Sequence, residues 1–150
     1  MKKIVIIVCI ILGFNLNAQV GINTTNPQST LDINGDLSLK VVSLNGGPSG
    51  FGTLIDGGVY FNLTPTPGNA DFELPNPTIL PGRIYILRNI TDTETAYILT
   101  QGAGALFFAG HSTSGTGVVN MTTNVAGGSA NKTLIFISDG ANWTYGKLGF

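Results

Sequence analysis

Turn-forming residues interrupt this chain so often that the sequence has room only for short secondary-structure elements. After position 20, Gly, Pro and Asn recur every ~8–12 residues, a spacing typical of an all-β sandwich or barrel. No apolar pattern with the period of a helix persists in that region. The sequence therefore predicts an all-β fold, an antiparallel β-sandwich or barrel-like module, with few or no helices after Ala18.

The segments between these turns are rich in the β-branched and aromatic residues that favour strands. The predicted strands are 37–44, 59–64, 71–74, 83–89, 96–100, 105–109, 118–123, 133–138 and 142–147. Asn34-Gly35 and Asp139-Gly140 tolerate positive φ angles and predict two tight hairpins. The five prolines between residues 65 and 81 predict an edge strand or a crossing loop, because proline lacks the N–H that an interior strand donates.

The start of the chain, from Met1 to Ala18, has the pattern of a cleavable signal peptide. Lysines precede an apolar run from Ile4 to Phe14, and Ala18 is the small residue before the expected cut. The run is about 11 residues long, whereas a membrane-spanning helix needs ~20. We expect a secreted or cell-surface protein, with retention in the periplasm as the alternative and no membrane span after cleavage.

The remaining chain has few residues suited to acid–base or metal chemistry. Cys9 lies in the leader and His111 is the only histidine, so no set of zinc ligands remains. The 7 basic and 8 acidic residues give no basic excess for binding nucleic acid. His111 with Ser112, or Asp71 with Glu73, would supply catalytic groups, but neither pair lies in a recognisable catalytic motif. We expect no catalysis, no cofactor and no metal.

Two predicted strands are apolar on both faces. Residues 84–87 (IYIL) and 134–137 (LIFI) do not alternate, whereas a strand with one face in water should. The second face must be covered by a crossing loop of the same chain or by a neighbouring subunit. We favour subunits, because a small secreted domain without cysteines cannot use disulfides to stabilise itself.

A turn and a short strand follow each other at residues 20–35, VGINTTNPQSTLDING. Proline can start the turn without losing a useful donor, and the two apolar residues of LDI share one strand face. The pattern G-I-x-T-x-x-P, a spacer and L-D-[VI]-x-G resembles a motif of bacterial surface proteins and phage tail fibres. The residues assigned to this turn and assembly motif are Pro27, Leu31, Asp32, Ile33 and Gly35.

Further anchors are ELP at 73–75, LPGRIYILRN at 80–89 and IFISDGANW at 135–143. Their order resembles a β-rich fibre-tip module of tail-fibre-like proteins, which closes with an S-D-G-x-x-W hairpin, here around Asp139 and Gly140. The similarity spans roughly residues 58–147. Such modules are usually trimeric, structural or receptor-facing parts of fibres and adhesins. The resemblance implies a homotrimer that contacts a surface glycan or a larger fibre or cell-envelope component.

Together these patterns predict a signal peptide at 1–18, a stalk-like N-terminal motif at 19–45 and a β-rich fibre-tip-like domain at 46–150. The expected function is that of a secreted structural or adhesive module that assembles as a trimer. The alternative is a carbohydrate-binding module in which loop residues, Trp143 and Tyr145 contact a sugar. Trp143 and Tyr145 share one face of the last strand, and the competing interpretation is that they close the end of the core.

Overall fold

A computed structural model describes residues 20–22, 31–123 and 131–148 of the chain. Within these ranges the chain forms strands and turns but no helix, so no helix there could cross a membrane. The chain divides into two compact units, Met1–Ser38 and Leu39–Phe150. The predicted signal peptide and Pro27 lie outside the described residues.

The first unit contains a parallel pair of short strands, β1 (Val20–Ile22) and β2 (Leu31–Ile33). The Asn34 N–H donates to the Ile22 carbonyl at 3.1 Å and extends this pairing. The prediction of a hairpin at Asn34-Gly35 is wrong. Residues 36–40 form no strand, and β2 pairs with the earlier β1 instead.

The second unit is a two-layered β-sandwich, which confirms the predicted fold class. Its strands are, in chain order, β3 (Val41–Asn45), β4 (Gly47–Pro48), β5 (Thr53–Leu54), β6 (Tyr60–Thr64), β7 (Asn69–Leu74), β8 (Ile84–Asn89), β9 (Ala96–Thr100), β10 (Phe107–Ala109), β11 (Gly115–Thr116), β12 (Val119–Met121), β13 (Thr133–Ser138) and β14 (Trp143–Lys147). The larger sheet has seven strands in the order β11-β10-β14-β13-β8-β6-β3. The smaller sheet has five strands, ordered β12-β9-β7-β4, with β5 also paired to β7. Strand β3 belongs to this sandwich, although the sequence assigned it to the N-terminal segment.

From β3 to β9 the chain passes back and forth between the two sheets, with β4 and β5 following each other in the smaller one. Strands β3, β6 and β8 are parallel neighbours in the larger sheet, and β5, β7 and β9 are parallel neighbours in the smaller one. Paired residues of neighbouring strands have the same sequence separation in both sheets. Val41 pairs with Tyr60 in the larger sheet, and Thr53 pairs with Phe72 in the smaller one. The chain is therefore a coil in which successive turns contribute a strand to each sheet.

This coil corrects the prediction of antiparallel sheets, since both sheets are mixed. A strand that returns to its own sheet after crossing the other layer runs in its original direction. Antiparallel pairs occur where the coil ends, with β13 on β8 and β12 on β9, and also within it, where β4 pairs with β7. The β13–β14 hairpin predicted at Asp139-Gly140 is confirmed. There Gly140 has a φ of 94°, and the Asp139 carboxylate accepts the Ala141 N–H at 2.8 Å.

Strand β7 lies in the interior of its sheet, which corrects the prediction of an edge strand or crossing loop. It is hydrogen-bonded to β4 and β5 on one side and to β9 on the other. The prolines at 65, 67, 75, 77 and 81 flank β7 and do not enter it, so none removes a donor from the sheet.

One hydrophobic core fills the space between the two sheets. The ring of Tyr85 belongs to this core and lies 5.7 Å from the ring centroids of both Phe61 and Trp143. Phe107 and Phe136 make a second edge-to-face pair at 5.9 Å. Aromatic pairs of this geometry add to the stabilisation that their burial provides.

Candidate functional site

The side chains on the outer side of the seven-stranded sheet form a surface that we call the apolar face. Its members are Val41, Tyr60, Ile84, Ile86, Phe108, Ile135 and Ile137. Val41, Ile84 and Ile137 are 59%, 42% and 40% exposed. Among the described strand residues on this side of the sheet, Arg88 is the only charged one. The predicted second apolar face of 84–87 and 134–137 therefore exists and is partly open to solvent.

Strand register makes the apolar face continuous. Val41 lies beside Tyr60, Tyr60 beside Ile86, and Ile86 beside Ile135, in a single row across four strands. The neighbouring row begins with Ile84, which is paired with Ile137. Because side chains in a row share one side of the sheet, these residues form one patch.

The outer side of the five-stranded sheet carries a different feature, an open pocket of about 630 Å³ that we call the Asp71 pocket. Asp71 on β7 and Tyr97 on β9 are direct neighbours in the parallel register and form its floor. Glu94, Leu99 and Val118 line the same space. The pocket therefore combines carboxylates, an aromatic ring and aliphatic side chains.

A tight turn at 48–51 forms one wall of the Asp71 pocket. The Phe51 N–H donates to the Pro48 carbonyl at 2.9 Å, and Gly50 occupies the third position of the turn with a φ of 79°. That φ belongs to the left-handed region, which favours glycine. Gly47 is equally constrained, because a Cβ there would lie 2.1 Å from the Phe51 carbonyl oxygen. The turn places the Gly50 N–H 2.9 Å from Oδ2 of Asp71, to which it donates.

Asp71 is the polar group of the pocket that lies furthest from water. Asp71 is only 9% exposed, and its carboxylate accepts a hydrogen bond from the neutral backbone N–H of Gly50. Within the described part of the chain no donor contacts Oδ1, and no Lys or Arg lines the pocket. Tyr97 is 41% exposed, so its ring is available beside this carboxylate.

Trp143 is part of the hydrophobic core and Tyr145 packs against it, as expected if the two side chains close the end of the core. Trp143 is 1% exposed, and its indole N–H donates to the Thr100 hydroxyl at 3.0 Å. Tyr145 is half-buried and stacks on Phe136 with 5.8 Å between ring centroids. The hypothesis that Trp143 contacts a sugar is corrected by this burial, since the enclosed ring presents no face to a ligand. Tyr145 lines a separate pocket of about 380 Å³ that also contains His111.

The Asn at the end of the GRIYILRN anchor has a structural role that the sequence analysis missed. The Asn89 amide NH₂ donates to the carbonyls of Glu94 and Met121, at 2.8 and 3.0 Å. Its carbonyl oxygen accepts from the N–H and the hydroxyl of Thr91, both at 3.0 Å. The available signal was Asn followed two residues later by Thr, a pattern that favours a local side-chain turn.

The closing S-D-G-x-x-W hairpin is anchored in the same way. Ser138 is 2% exposed, and its hydroxyl donates to the Pro77 carbonyl at 2.8 Å. The Asn142 side-chain oxygen accepts the Leu106 N–H at 3.0 Å. These residues of the sequence anchors therefore connect segments of the fold.

No hydrogen bond among the described residues joins the candidate catalytic groups to one another. The Ser112 hydroxyl accepts the N–H of Ser114 at 3.1 Å, in a turn of its own. Glu73 accepts from the Gln101 side chain at 3.2 Å, whereas Asp71 accepts from the turn at 48–51. Among the residues that the structure describes, no three His, Cys, Asp or Glu side chains converge as metal ligands would.

Comparison of this chain with protein-family models, with curated proteins and with solved structures gave no match.

Proposed function

We propose that this chain is a secreted structural or adhesive module that assembles with copies of itself, as a trimer, and has no catalytic activity. The observation that carries the proposal is the apolar face of the seven-stranded sheet. A continuous apolar surface on an exported protein is unfavourable in water and marks a site of association. Burial of such surface contributes about 25 cal/mol per Å².

The charge distribution supports self-association through this face. The central regions of protein interfaces are depleted in charged residues, and the apolar face has only Arg88 at one side. Ser43, Asn62 and Thr133 occupy the same register row as Arg88 and form a polar border. An apolar centre with a polar border is the arrangement expected of a subunit interface.

The number of subunits rests on the sequence motifs. The anchors at 80–89 and 135–143 resemble tail-fibre-like modules, which are usually trimeric. A trimer is also a closed assembly, which buries the same face on every copy and does not grow into a filament.

Light scattering coupled to size-exclusion chromatography tests this proposal. We expect the purified protein to elute with the mass of three copies at micromolar concentration. A variant with Ile84→Glu and Ile137→Glu places two charges on the apolar face and should elute as a monomer. Ile79→Glu is the matched control, because Ile79 is 68% exposed in a loop and the substitution should leave the mass unchanged. A wild-type monomer would overturn the proposal.

A further inference from the structure

The Asp71 pocket lies on the five-stranded sheet, whereas the apolar face belongs to the seven-stranded one. We propose that the Asp71 pocket binds a ligand with a primary alkylammonium group on an aliphatic stem. This inference goes beyond assembly and does not depend on it, because Asp71 and the other pocket residues form no part of the apolar face.

The charge of the pocket favours a cationic ligand. A carboxylate that is largely removed from water is costly unless positive charge or hydrogen-bond donors compensate it. Asp71 is 9% exposed and receives one neutral N–H at Oδ2, while Oδ1 receives no donor from the described residues and stays accessible from the pocket. Glu94 adds a second carboxylate to the lining, and no basic side chain of the described chain balances the pair there. A cationic ligand supplies the missing charge.

The aromatic ring next to that carboxylate also favours a cation. Tyr97 is paired in register with Asp71 and is 41% exposed. A cation over an aromatic face is attracted by the electron-rich ring, and the attraction strengthens where water is displaced. An ammonium group placed between Asp71 and Tyr97 would make both interactions.

The rest of the pocket lining is suited to an alkyl stem. Leu99 and Val118 provide aliphatic surface in the same pocket. The volume of about 630 Å³ lies within the usual range of small-molecule sites, ~300–1,000 Å³. An alkyl stem of a few carbons can therefore contact these side chains while its ammonium group reaches Asp71.

Two other ligand classes fit the lining less well. Calcium takes about 6–8 oxygen ligands, and the described lining offers only the side chains of Asp71 and Glu94 as carboxylates. The hydroxyl groups of a neutral sugar would donate hydrogen bonds to these carboxylates but would leave their negative charge uncompensated. The charge balance therefore favours the ammonium ion.

Isothermal titration calorimetry with 1,4-diaminobutane tests the proposal, with 1,4-butanediol as the uncharged analogue. We expect the diamine to bind the full-length protein and the diol not to bind. Asp71→Asn keeps an acceptor for Gly50 but removes the charge, and it should weaken diamine binding ~10–100-fold. Tyr97→Leu should also weaken binding without altering the core, because the Tyr97 ring lies outside it. Asp56→Asn removes an exposed carboxylate elsewhere and is the matched control.

Nα-acetyl-lysine methylamide distinguishes a protein side chain from a free amine as the source of the ammonium group. Binding of either compound, lost in Asp71→Asn and retained in Asp56→Asn, would support the proposal. The proposal would be overturned if Asp71→Asn bound the diamine as well as the wild type, or if the diol bound as well as the diamine. It would also be overturned if no diamine bound at ~10 mM, a concentration far above the dissociation constants of specific complexes. Preferential binding of a sugar or of Ca²⁺ would also overturn it. The mass of the assembly should stay unchanged in Asp71→Asn, so failure here is separate from failure of self-association.

Discussion

At the scale of single residues, buried polar side chains of the sequence anchors join separate segments through hydrogen bonds. Asn89 and Ser138 are examples. Asn89 joins the end of β8 to the turn at 90–95 and to β12 through four hydrogen bonds. A buried polar side chain with all its groups satisfied favours one arrangement of the surrounding segments. The coil needs such connectors, because its layers are joined by loops without regular secondary structure.

Replacing Asn89 with alanine should lower the free energy of unfolding by about 2–3 kcal/mol, because buried groups left without partners cost ~1–3 kcal/mol each. The Glu94 and Met121 carbonyls would lose their donor. Urea denaturation measures the change, with Asn120→Ala at an exposed position of β12 as the control. A loss equal to that of the control would contradict the connector role.

Tyr85 should make the protein sensitive to alkaline pH. Burial raises the pKa of its phenol above the ordinary 10.0, an effect that Arg83 opposes and Asp56 reinforces. Between the unfolded and the folded pKa the folded state holds a proton that the unfolded state has lost. Stability should therefore be complete below pH ~10 and decrease as the pH rises through the folded pKa.

The check is the urea midpoint from pH 8 to 11 for the wild type and for Tyr85→Phe. The variant keeps the ring in the core and should show a shallower decline above pH ~10. Parallel curves for the two proteins would show that the Tyr85 phenol does not contribute to the decline.

From the sequence, two roles could be stated for Trp143, contact with a sugar or closure of the core. The Asp71 pocket could not be predicted from the sequence. Asp71 and Tyr97 are distant in the sequence and become neighbours only through the parallel register of β7 and β9. The expected antiparallel sheets would have given different neighbours. A site formed by register cannot be read from spacing when the strand directions are unknown.

At the scale of elements, strand composition predicted most of the longer strands. The predicted strands 96–100 and 133–138 coincide with β9 and β13. Strands β4, β5 and β11 were missed because each is only two residues long, and glycine or proline supplies residues of β4 and β11. Strand direction was also missed, since turn residues show where the chain bends but not to which sheet it crosses.

The turn between β6 and β7 provides a test at this scale. Thr66 and Asn69 exchange backbone hydrogen bonds of 3.0 and 2.9 Å, and Gly68 between them has a φ of 80°. Gly68→Ala should destabilise the protein by about 1–2 kcal/mol, the cost of a Cβ in the left-handed region.

A Cβ at Gly68 would contact nothing within 4 Å, so the expected loss comes from the backbone alone. Gly117 is an exposed glycine that also has no neighbour within 4 Å and no positive φ, so Gly117→Ala is the matched control. The control should change stability by less than ~0.5 kcal/mol. Equal effects at the two positions would show that the turn tolerates a side chain.

At the scale of the whole sandwich, the coil and the strands that close it build the apolar face together. Ile86 belongs to the coil and Ile135 to the closing strand β13, and they are neighbours in one row. The face therefore requires the last segment of the fold to be in place. Self-association through it would select molecules in which β13 has docked on β8, and it would stabilise the folded state by mass action.

If association and folding are linked in this way, the melting temperature should rise with protein concentration. Differential scanning calorimetry over a hundredfold range of concentration measures the effect, because a partner that binds only the folded state stabilises it progressively. The variant with Ile84→Glu and Ile137→Glu should melt at a temperature that does not depend on concentration. Ile79→Glu should keep the dependence of the wild type. A wild-type melting temperature that stays constant over this range would separate the stability of the sandwich from any assembly, and the apolar face would then need another explanation.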